Sequence, residues 1–344
     1  MEQQDILSMT LPELQAAVQE LGEPKFRAKQ IFNWLHQKRV TDFSEMTTLS
    51  LPFRERLASD FCINRLKIAK RLASSVDDTV KYLYELPDGN YVETVCMQYH
   101  HGTSLCISTQ VGCRMGCRFC ASAIAGFVRN LTPAEMLLQI YETERAQNCK
   151  ISSLVLMGIG EPLDNFDNVL RFLQLLSDPN GYGMSLRHVT VSTCGVVPKI
   201  LELAEQRLGL TLSVSLHCPN DAGRSAIMPI NRSYPIGVLL DACQTYFEKT
   251  GRRVTFEYAV MDQVNSAEQD AAALAERLKG LHAHVNLIPI NPVKERNFHT
   301  LKKTVLQFQK TLERYGIPAT IRRTLGSDIE AACGQLRRDA IQQT

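Results

Sequence analysis

The feature that most constrains the fold is a long alternation of strand and helix patterns that begins at Leu105. The strand patterns cover residues 105–109, 154–157, 189–192, 212–216, 254–260 and 285–290, with a last one near 320–323. Helical patterns alternate with them, at about 133–147, 165–176, 198–206, 236–249, 267–278 and 302–315. This alternation predicts an α/β fold with a parallel sheet. Six or more units favour a partial (β/α)6-type TIM barrel, although a flat doubly wound sheet has the same periodicity.

The residues before this alternation have other patterns. Residues 1–71 have helical spacing, with a capping-box sequence at Thr10–Glu13. Residues 80–85 and 91–97 alternate apolar and polar side chains around Pro87-Asp-Gly-Asn90, which predicts a β-hairpin. The sequence therefore predicts an N-terminal helical accessory domain (1–75), a β-hairpin linker (76–104), a barrel (105–325) and a C-terminal segment (326–344).

Composition narrows the class of protein. Of the 344 residues, 44% are hydrophobic and 22% are charged, as in globular domains that do not span a membrane. No run approaches the roughly 18–20 apolar residues of a membrane span, and no secretory signal is visible at the N-terminus. The 11 cysteines therefore indicate a reducing, cytoplasmic compartment in which they serve as ligands or nucleophiles.

Charge is concentrated in one stretch although the net charge is only +2. Residues 52–71 carry six basic and two acidic side chains, an excess of four positive charges. Such an excess is typical of a surface that binds phosphates, as in an RNA-binding protein. A solvated helix face explains the same pattern equally well.

Three closely spaced cysteines indicate a metal centre. Cys113, Cys117 and Cys120 lie in the segment QVGCRMGCRFCASAIAGF, with three residues and then two between them. A [4Fe–4S] cluster takes four thiolates, so three would leave one iron open for another ligand. Glycines beside the first two cysteines would let the loop turn tightly. A zinc site is the alternative, but it usually has two Cys-x-x-Cys pairs, or one pair with histidines, and the nearest histidines are His100 and His101 upstream.

The loop resembles that of the radical S-adenosylmethionine (SAM) enzymes, in which the open iron binds SAM. That resemblance implies a Gly/Glu segment that holds the methionine amine, here Gly160 and Glu161. Further polar residues follow strands at the carboxyl edge, where barrel enzymes build their sites. The implied cofactor-binding residues there are Ser192, Ser215, Leu216, His217 and Asn291. Taken singly, a glycine turn or a buried core histidine would explain such residues as well.

Longer motifs resemble the RlmN-type RNA adenosine methyltransferases from the N-terminal helices to about residue 337. They are VETV (92–95), LCISTQVGC (105–113), GIGEPL (158–163), VSLHCPND (214–221), RSAIMPINRSYPI (224–236), VNLIPINP (285–292) and DIEAACGQL (328–336). The departures are Ile159 where methionine is usual, Ser327 in place of an aspartate, and Cys218 in place of a small residue. None of them replaces a catalytic cysteine.

The resemblance implies a specific chemistry at carbon 2 of adenine, which is not nucleophilic. Cys333 takes a methyl group from one SAM, and a second SAM on the cluster yields a radical that activates this methyl group. The activated group then adds to the adenine ring. Glu93 is the implied proton acceptor, and Cys106 resolves the RNA–protein adduct by forming a disulfide with Cys333.

The resemblance also implies partners. They are adenosine 2503 of 23S rRNA, met before ribosome assembly is complete, adenosine 37 of tRNAs, and an external one-electron reductase such as flavodoxin or ferredoxin. We expect a monomer that binds no membrane. Cfr-type enzymes, which methylate carbon 8 of the same rRNA adenosine, are the near alternative, but Pro162 in GIGEPL matches the RlmN type, where Cfr-type proteins usually carry alanine. A non-enzymatic, zinc-dependent RNA-binding protein is the distant alternative.

Overall fold

The computed structural model describes residues 3–290, 298–329 and 337. Its strands, in chain order, are β1 (Gln4–Asp5), β2 (Phe61–Cys62), β3 (Lys67–Ala73), β4 (Val80–Glu85), β5 (Tyr91–Tyr99), β6 (Gly102–Cys106), β7 (Gln110–Gly112), β8 (Phe127–Asn130), β9 (Ile151–Leu156), β10 (Val189–Thr193), β11 (Thr211–Ser215), β12 (Val254–Val260), β13 (Ala283–Pro289) and β14 (Ala319–Ile321).

The helices pack outside the main sheet or precede it. They are α1 (Leu11–Glu20), α2 (Phe26–His36), α3 (Leu51–Asp60), α4 (Pro133–Gln147), α5 (Phe166–Ser177), α6 (Val197–Glu205), α7 (Asp221–Ile227), α8 (Ile236–Thr250), α9 (Glu268–Leu278) and α10 (Lys302–Arg314). No helix among residues 3–290, 298–329 and 337 is both long and apolar enough to cross a membrane.

Ten strands form the main sheet, in the order β14-β13-β12-β11-β10-β9-β6-β5-β4-β3. The first seven of this order run parallel. Among the described residues the two outer strands do not pair with each other, so the sheet is open, and residues of β5, β6 and β9–β13 line one common cavity, as in a partial barrel. The α/β fold predicted from the alternation is confirmed.

Local sequence explains where the helices of the barrel begin and which face they bury. Thr132 caps α4, with Pro133 in its first turn, and the Thr132 backbone N–H donates to the Glu135 carboxylate at 2.9 Å. The helix ends at Asn148, whose φ of 46° is left-handed. In α5, the residues Phe166, Val169, Phe172, Leu173 and Leu176 recur at helical spacing and are all buried in the main core.

The N-terminal helices dock on the outside of α4 and α5. The ring nitrogen Nδ1 of His36 lies 2.9 Å from the Tyr141 hydroxyl of α4, and both side chains are buried. On the other side, Arg171 of α5 forms an ion pair with Glu13 at 2.7 Å. Apolar residues of α1 and α2 belong to the same buried cluster as the barrel residues. The helices therefore have a fixed place beside the sheet.

The expectation that helix continues to residue 71 is wrong at its end. Residues 67–73 form β3, which pairs antiparallel with β4 at the edge of the sheet. Lys67, Lys70 and Arg71 are exposed there, so the basic stretch ends on an edge strand instead of a helix face. Ile68 and Leu72 permit either structure, and pairing with β4 decides between them. The hairpin of β4 and β5 is where the sequence predicts it, and it extends the main sheet.

Candidate active site

A cavity of about 330 Å³ opens at the carboxyl edge of the parallel strands. One wall carries the cysteine loop with Met115 and Phe119, and a second wall, which belongs to a separate apolar cluster, carries Val95, Met97 and Cys106 from β5 and β6. The cavity is also lined by Gly160, Glu161, Ser192, Ser215, His217 and Glu257. Arg322, Arg323 and Leu325, which follow β14, also line the cavity. Most of the predicted site residues thus share one space.

A two-stranded ladder closes the cysteine loop at its base. Strands β7 and β8 pair antiparallel, and the Cys113 backbone N–H donates to the Gly126 carbonyl at 3.2 Å. Gly112 has a φ of +80°, and a Cβ on it would clash with this carbonyl, so only glycine fits. The Arg118 N–H, which donates to the Ile227 carbonyl at 2.9 Å, fixes the middle of the loop.

The three cysteine thiols of this loop line the cavity together. Burial, with the neighbouring Cys120 adding to it, raises the pKa of the Cys113 thiol to about 12, and burial raises the pKa of Cys117 as well. A thiolate there is therefore costly unless a cation compensates it. Three sulfur donors on one cavity wall match three corners of a [4Fe–4S] cluster, so the residues fit this group.

The thiols are not arranged around a single ion. Within the described part of the chain, no three His, Cys, Asp or Glu side chains are grouped closely enough to hold one metal ion. A structural zinc site requires such a group of tetrahedral ligands.

The loop 158–161 packs directly on the segment that follows β6. A Cβ on Gly160, whose φ is +109°, would lie 2.6 Å from the Cβ of Gln110. A Cβ on Gly158 would lie 2.5 Å from the Ile107 carbonyl oxygen. The Gln110 side chain meanwhile accepts the Glu161 N–H at 2.8 Å. The glycines therefore allow a close backbone approach that sets the position of Glu161.

Glu161 is a buried carboxylate held by backbone amides. Its two oxygens accept the Cys194 N–H at 2.7 Å and the Leu163 N–H at 3.0 Å. Burial raises its pKa, and these hydrogen bonds oppose the rise. The carboxylate is 4% exposed and lines the cavity, so it can meet a positively charged amine there.

His217 is held in a strained backbone conformation at the edge of the cavity. Its φ is +56°, and the Asn265 side chain donates to its carbonyl at 2.6 Å. Its Nδ1 accepts the Ala259 N–H at 2.9 Å, so the other ring nitrogen carries the hydrogen. Burial, together with the positive charge of Arg224, lowers its pKa to about 3. The imidazole is therefore neutral at physiological pH, and its ring meets Phe119 edge to face at 4.7 Å.

Four predicted residues lie apart from this group. Leu216 is fully buried in the main core, and its side chain is not among those that line the cavity. Glu93 is buried behind the wall, where the Lys81 ammonium lies 2.9 Å from its Oε2 and the Arg337 backbone N–H donates to its Oε1 at 2.7 Å. Asn291 and Cys333 lie outside the described residues, so their roles stay predictions.

The C-terminal segment contacts the sheet on both sides of residues 330–336. Asp328 accepts hydrogen bonds from Ser74 and Ser75, in the turn between β3 and β4, at 2.6–2.8 Å. Arg337 contacts Glu93 of β5. Leu325 packs with Val95, Met97 and Cys106. The described parts of the segment therefore contact the β3–β4 turn and β5, and Leu325, which directly precedes the segment, packs beside Cys106.

Two site residues escaped the sequence reasoning. Arg224 is fully buried, and its guanidinium donates to the carbonyls of Leu216, Cys194 and Ser215, which ties the ends of β10 and β11 together. Glu257 lines the cavity and accepts hydrogen bonds from Ser213 and Asn286. A carboxylate inside the otherwise apolar strand VTFEYAV was a usable signal for Glu257. Nothing in the local sequence of Arg224 marks it as buried.

Family models match two parts of the chain. The model described as ribosomal RNA large subunit methyltransferase N-terminal domain matches residues 4–63. The model of the radical SAM superfamily matches residues 107–275, which include the cysteine loop and most of the parallel sheet.

Similar proteins extend these matches to nearly the whole chain. A probable dual-specificity RNA methyltransferase RlmN of Lachnoclostridium phytofermentans is 51% identical, over 99% of this chain and 96% of that protein. The protein of the same name from Alkaliphilus oremlandii is 50% identical, over 99% of this chain and 100% of its own length. The crystal structure of a radical SAM methyltransferase from Sphaerobacter thermophilus is 40% identical, covers 96% of this chain and 98% of its own, and superposes with a TM-score of 0.92.

These relatives agree with the geometry of the cavity, where a three-cysteine loop faces the glycine-rich loop of Glu161 at the open edge of a partial barrel. They leave no support for a non-enzymatic zinc protein. The chain belongs to the RlmN family of radical SAM RNA methyltransferases.

Proposed function

We propose that this enzyme methylates carbon 2 of adenosine in RNA, at adenosine 2503 of 23S rRNA and at adenosine 37 of tRNAs. The observation that carries the proposal is that one cavity has the three-thiol loop on one wall and Cys106 on the other. Ordinary methyl transfer needs a nucleophilic acceptor, which carbon 2 is not. A cysteine that carries the methyl group, and a second cysteine that releases the product, solve this problem.

The cofactors in this proposal are a [4Fe–4S] cluster and two molecules of SAM per turnover. Cys113, Cys117 and Cys120 would hold the cluster, which supplies the electron that cleaves SAM when both are bound. Glu161, beside Gly160, would accept hydrogen bonds from the methionine amine. Ser192, Ser215, His217 and Asn291, with the backbone of Leu216, would hold the rest of SAM at the strand ends. Phe119 and Met115 on the cysteine loop keep water from the cavity wall.

Two cysteine thiols of the chain, those of Cys333 and Cys106, would bind the methyl group and release the product. Cys333 would bear the methyl group that becomes a bridge to the adenine ring. Glu93 would accept the ring proton as the adduct returns its unpaired electron to the cluster. The Cys106 thiol would then attack the Cys333 sulfur, so that the bond between this sulfur and the bridging carbon breaks, the proton of the thiol passes to that carbon to complete the methyl group, and a disulfide is left behind. The packing of Leu325 against Cys106, and the contacts of Asp328 with Ser74 and of Arg337 with Glu93, support this pairing. The product would leave only after this disulfide forms.

We also infer how RNA is held. The target base leaves its stack to enter the cavity, as in other enzymes that modify bases. The N-terminal region, residues 1–75, would bind RNA by shape and phosphate contacts. Its last strand, β3, ends at Ala73 opposite Val80, next to the cavity residue Thr79. The exposed cations of β3 therefore lead toward the cavity.

Charge reversal on β3 tests this path. We expect Lys67→Glu, Lys70→Glu and Arg71→Glu together to weaken binding of a 23S rRNA fragment, and to make the plot of log K against log salt shallower by about two units. SAM cleavage without RNA should be unchanged, because β3 lies outside the cavity wall. Filter binding at several salt concentrations measures the RNA affinity and its dependence on salt.

Lys150→Glu with Lys279→Glu is the control for this test, since these exposed residues precede the parallel strands β9 and β13, at the amino edge of the sheet and away from the cavity. An equal loss of affinity in the control, or none in the β3 variant, would contradict the proposed path.

The proposed reaction has a direct test in cells. We expect RNA from a deletion strain to lose 2-methyladenosine at the rRNA and tRNA positions, and a plasmid copy of the gene to restore it. Liquid chromatography coupled to mass spectrometry, with standards of both isomers, distinguishes 2-methyladenosine from 8-methyladenosine in RNA digests. The 8-methyl isomer in the restored strain would identify the Cfr-type reaction instead.

The remaining partners belong to the same proposal. An external flavodoxin or ferredoxin would supply the electron, and the enzyme would work in the cytoplasm as a monomer. Reduction of the purified enzyme by each protein, followed by SAM cleavage, identifies the donor.

A further inference from the structure

We infer that Arg322 and Arg323 bind a phosphate group next to the target adenosine of the RNA and thereby position its base in the cavity. The inference rests on the proposed function, in which that adenosine leaves its stack and enters the cavity. Sequence reasoning placed both arginines at the end of the last predicted strand and gave them no role.

The sheet register places Arg322 on the inner face of the partial barrel. Glu257 pairs with Asn286, and Asn286 pairs with Thr320, so these residues form one row across β12, β13 and β14. This row faces inward, because Glu257 lines the cavity and accepts a hydrogen bond from Asn286 at 2.9 Å. Arg322 lies two residues after Thr320, and its backbone N–H continues the ladder by donating to the Leu287 carbonyl at 2.8 Å. Its side chain therefore projects from the inner face, nearer the carboxyl edge than Glu257.

The guanidinium of Arg322 lies within electrostatic range of the buried Glu257 carboxylate. Burial raises the pKa of Glu257, while the hydrogen bond from Ser213 and the positive charge of Arg322 oppose the rise. Both Arg322 and Arg323 are exposed, and within the described part of the chain neither guanidinium has a hydrogen bond or an ion pair. Their donors are therefore open to a ligand at the mouth of the cavity.

The two arginines are the only cationic side chains that the described residues contribute to the cavity lining. The carboxylates of that lining are Glu161 and Glu257, which repel an anion. An adenosine that enters from an RNA strand brings a phosphate group on each side of it. A guanidinium matches phosphate oxygens in charge and in the spacing of its donors. The arginine pair is therefore the part of the lining that attracts the RNA backbone.

The segment that begins with these arginines connects the two outer edges of the sheet. Arg322 follows the edge strand β14, whereas Leu325 packs beside Cys106 of β6. The Gly326 N–H then donates to the Asp77 carboxylate, in the turn between β3 and β4, at 2.9 Å. A phosphate held at the start of this crossing would lie at the open side of the barrel, with the attached nucleoside directed into the cavity.

The strand order separates the arginines from the residues proposed to hold the methionine part of SAM. The cysteine loop follows β6 and Glu161 follows β9, whereas the arginines follow β14, and four strands lie between β9 and β14 in the sheet. The carboxylate of SAM is the other anion that the proposed reaction brings to the cavity. It therefore fits the arginine pair less well than an RNA phosphate does.

The test uses the holoenzyme and synthetic 23S rRNA fragments in which one phosphate at a time is neutralised as a methylphosphonate. For the wild type, neutralising the phosphate on one side of the target adenosine should weaken binding about tenfold. Arg322→Gln with Arg323→Gln should bind the unmodified fragment about tenfold more weakly, and that methylphosphonate should weaken its binding no further, because the contact is already lost. Its plot of log K against log salt should be shallower by about 0.7 units, as expected for one phosphate contact to a single strand.

Two pairs of substitutions serve as controls. Arg187→Gln with Arg253→Gln removes two exposed arginines that precede β10 and β12 at the amino edge, so this variant should keep the wild-type response to the methylphosphonate. Arg322→Lys with Arg323→Lys keeps both charges and should recover most of the affinity. If the double glutamine variant does not fold, Arg322→Gln and Arg323→Gln are tested singly against the same fragments, and the wild-type series needs no variant at all.

Three results would overturn the inference. They are a wild type that is insensitive to neutralisation on both sides of the adenosine, a double glutamine variant that loses as much affinity as the wild type on each neutralisation, and a variant with normal RNA affinity but weaker SAM binding in equilibrium dialysis. The last result would assign the arginines to the carboxylate of SAM. Wild-type enzyme that binds the fragment but makes no 2-methyladenosine would instead refute the proposed function, so the two failures are distinguishable.

Discussion

Replacement of Cys113, Cys117 or Cys120 by alanine, one at a time, is expected to abolish both iron binding and SAM cleavage. Two thiolates hold a [4Fe–4S] cluster poorly, and the cysteine loop offers no substitute ligand. The wall would also lose the group that compensates its buried thiolates, whose pKa is raised by burial at Cys113 and Cys117. Iron and sulfide analysis after anaerobic purification measures the first loss, and 5′-deoxyadenosine release measures the second.

Cys243→Ala is the matched control for this prediction. Cys243 is as buried as Cys106, but it lies on α8 in the main core and not among the described residues of the cavity wall. It should keep about four irons per chain and cleave SAM normally. A loop variant that also kept about four irons would refute the cluster assignment.

The order of the strands and helices in the barrel could be predicted because the local sequence pattern of each one identifies it. Strand 254–260 is found with the bounds that the alternation of apolar residues predicts, and the predicted helix 133–147 matches α4 residue for residue. Parallel strands must be joined by crossover helices, so the alternation also fixes the order of most strands in the sheet.

The sequence misled where pairing, not local preference, decides the structure. Residues 67–73 carry three charged side chains and two large apolar ones, which suit a surface helix as well as an edge strand. Only the presence of β4 beside them selects the strand. The same reason hid the Lys81–Glu93 pair, because diagonal contacts between strands depend on register, which no single strand reveals.

Site residues could be predicted from the sequence where the chemistry requires a recognisable motif. They could not be predicted where their role depends on burial in the folded chain. Three cysteines and a GIGE loop are visible in one line of sequence, and they do meet at one cavity. Arg224 acts by donating to three backbone carbonyls, and backbone carbonyls have no sequence signature. Its place beneath His217, whose pKa it helps to lower, is known only from the packed chain.

Loss of the two proposed catalytic cysteines is expected to stop methylation at different steps. Cys333→Ala has no methyl acceptor, so it should form no adduct with RNA at all. Cys106→Ala should still carry the methyl group on Cys333, generate the radical and attack the base. It should then stall, because no incoming thiol releases the product. Cys106→Ala purified from cells should therefore carry RNA, visible on a denaturing gel as a shift that nuclease removes.

The environment of Cys106 adds a condition to this result. Cys106 is 3% exposed and packs against Val95, Met97 and Leu325, so only a sulfur within the cavity wall can reach it. A disulfide needs α-carbons roughly 4.4–6.8 Å apart. Among the described residues, Asp328 contacts Ser74 in the turn between β3 and β4, and Arg337 contacts Glu93 of β5, the strand that pairs with the Cys106 strand.

Cys194→Ala separates this role from a general effect of removing a cavity sulfur. Cys194 also lines the cavity and is buried, but it belongs to the apolar cluster that packs with the cysteine loop and not to that of Cys106, and its backbone N–H donates to Glu161. If the loss of Cys194 slows catalysis, no RNA should be trapped, since Cys194 forms no disulfide with Cys333 in the proposed reaction. Cys106→Ala that turned over many times with no trapped RNA, or Cys194→Ala that trapped as much, would refute Cys106 as the resolving thiol. RNA trapped in Cys106→Ala but not in Cys194→Ala would assign the release step to the Cys106 thiol at the end of β6.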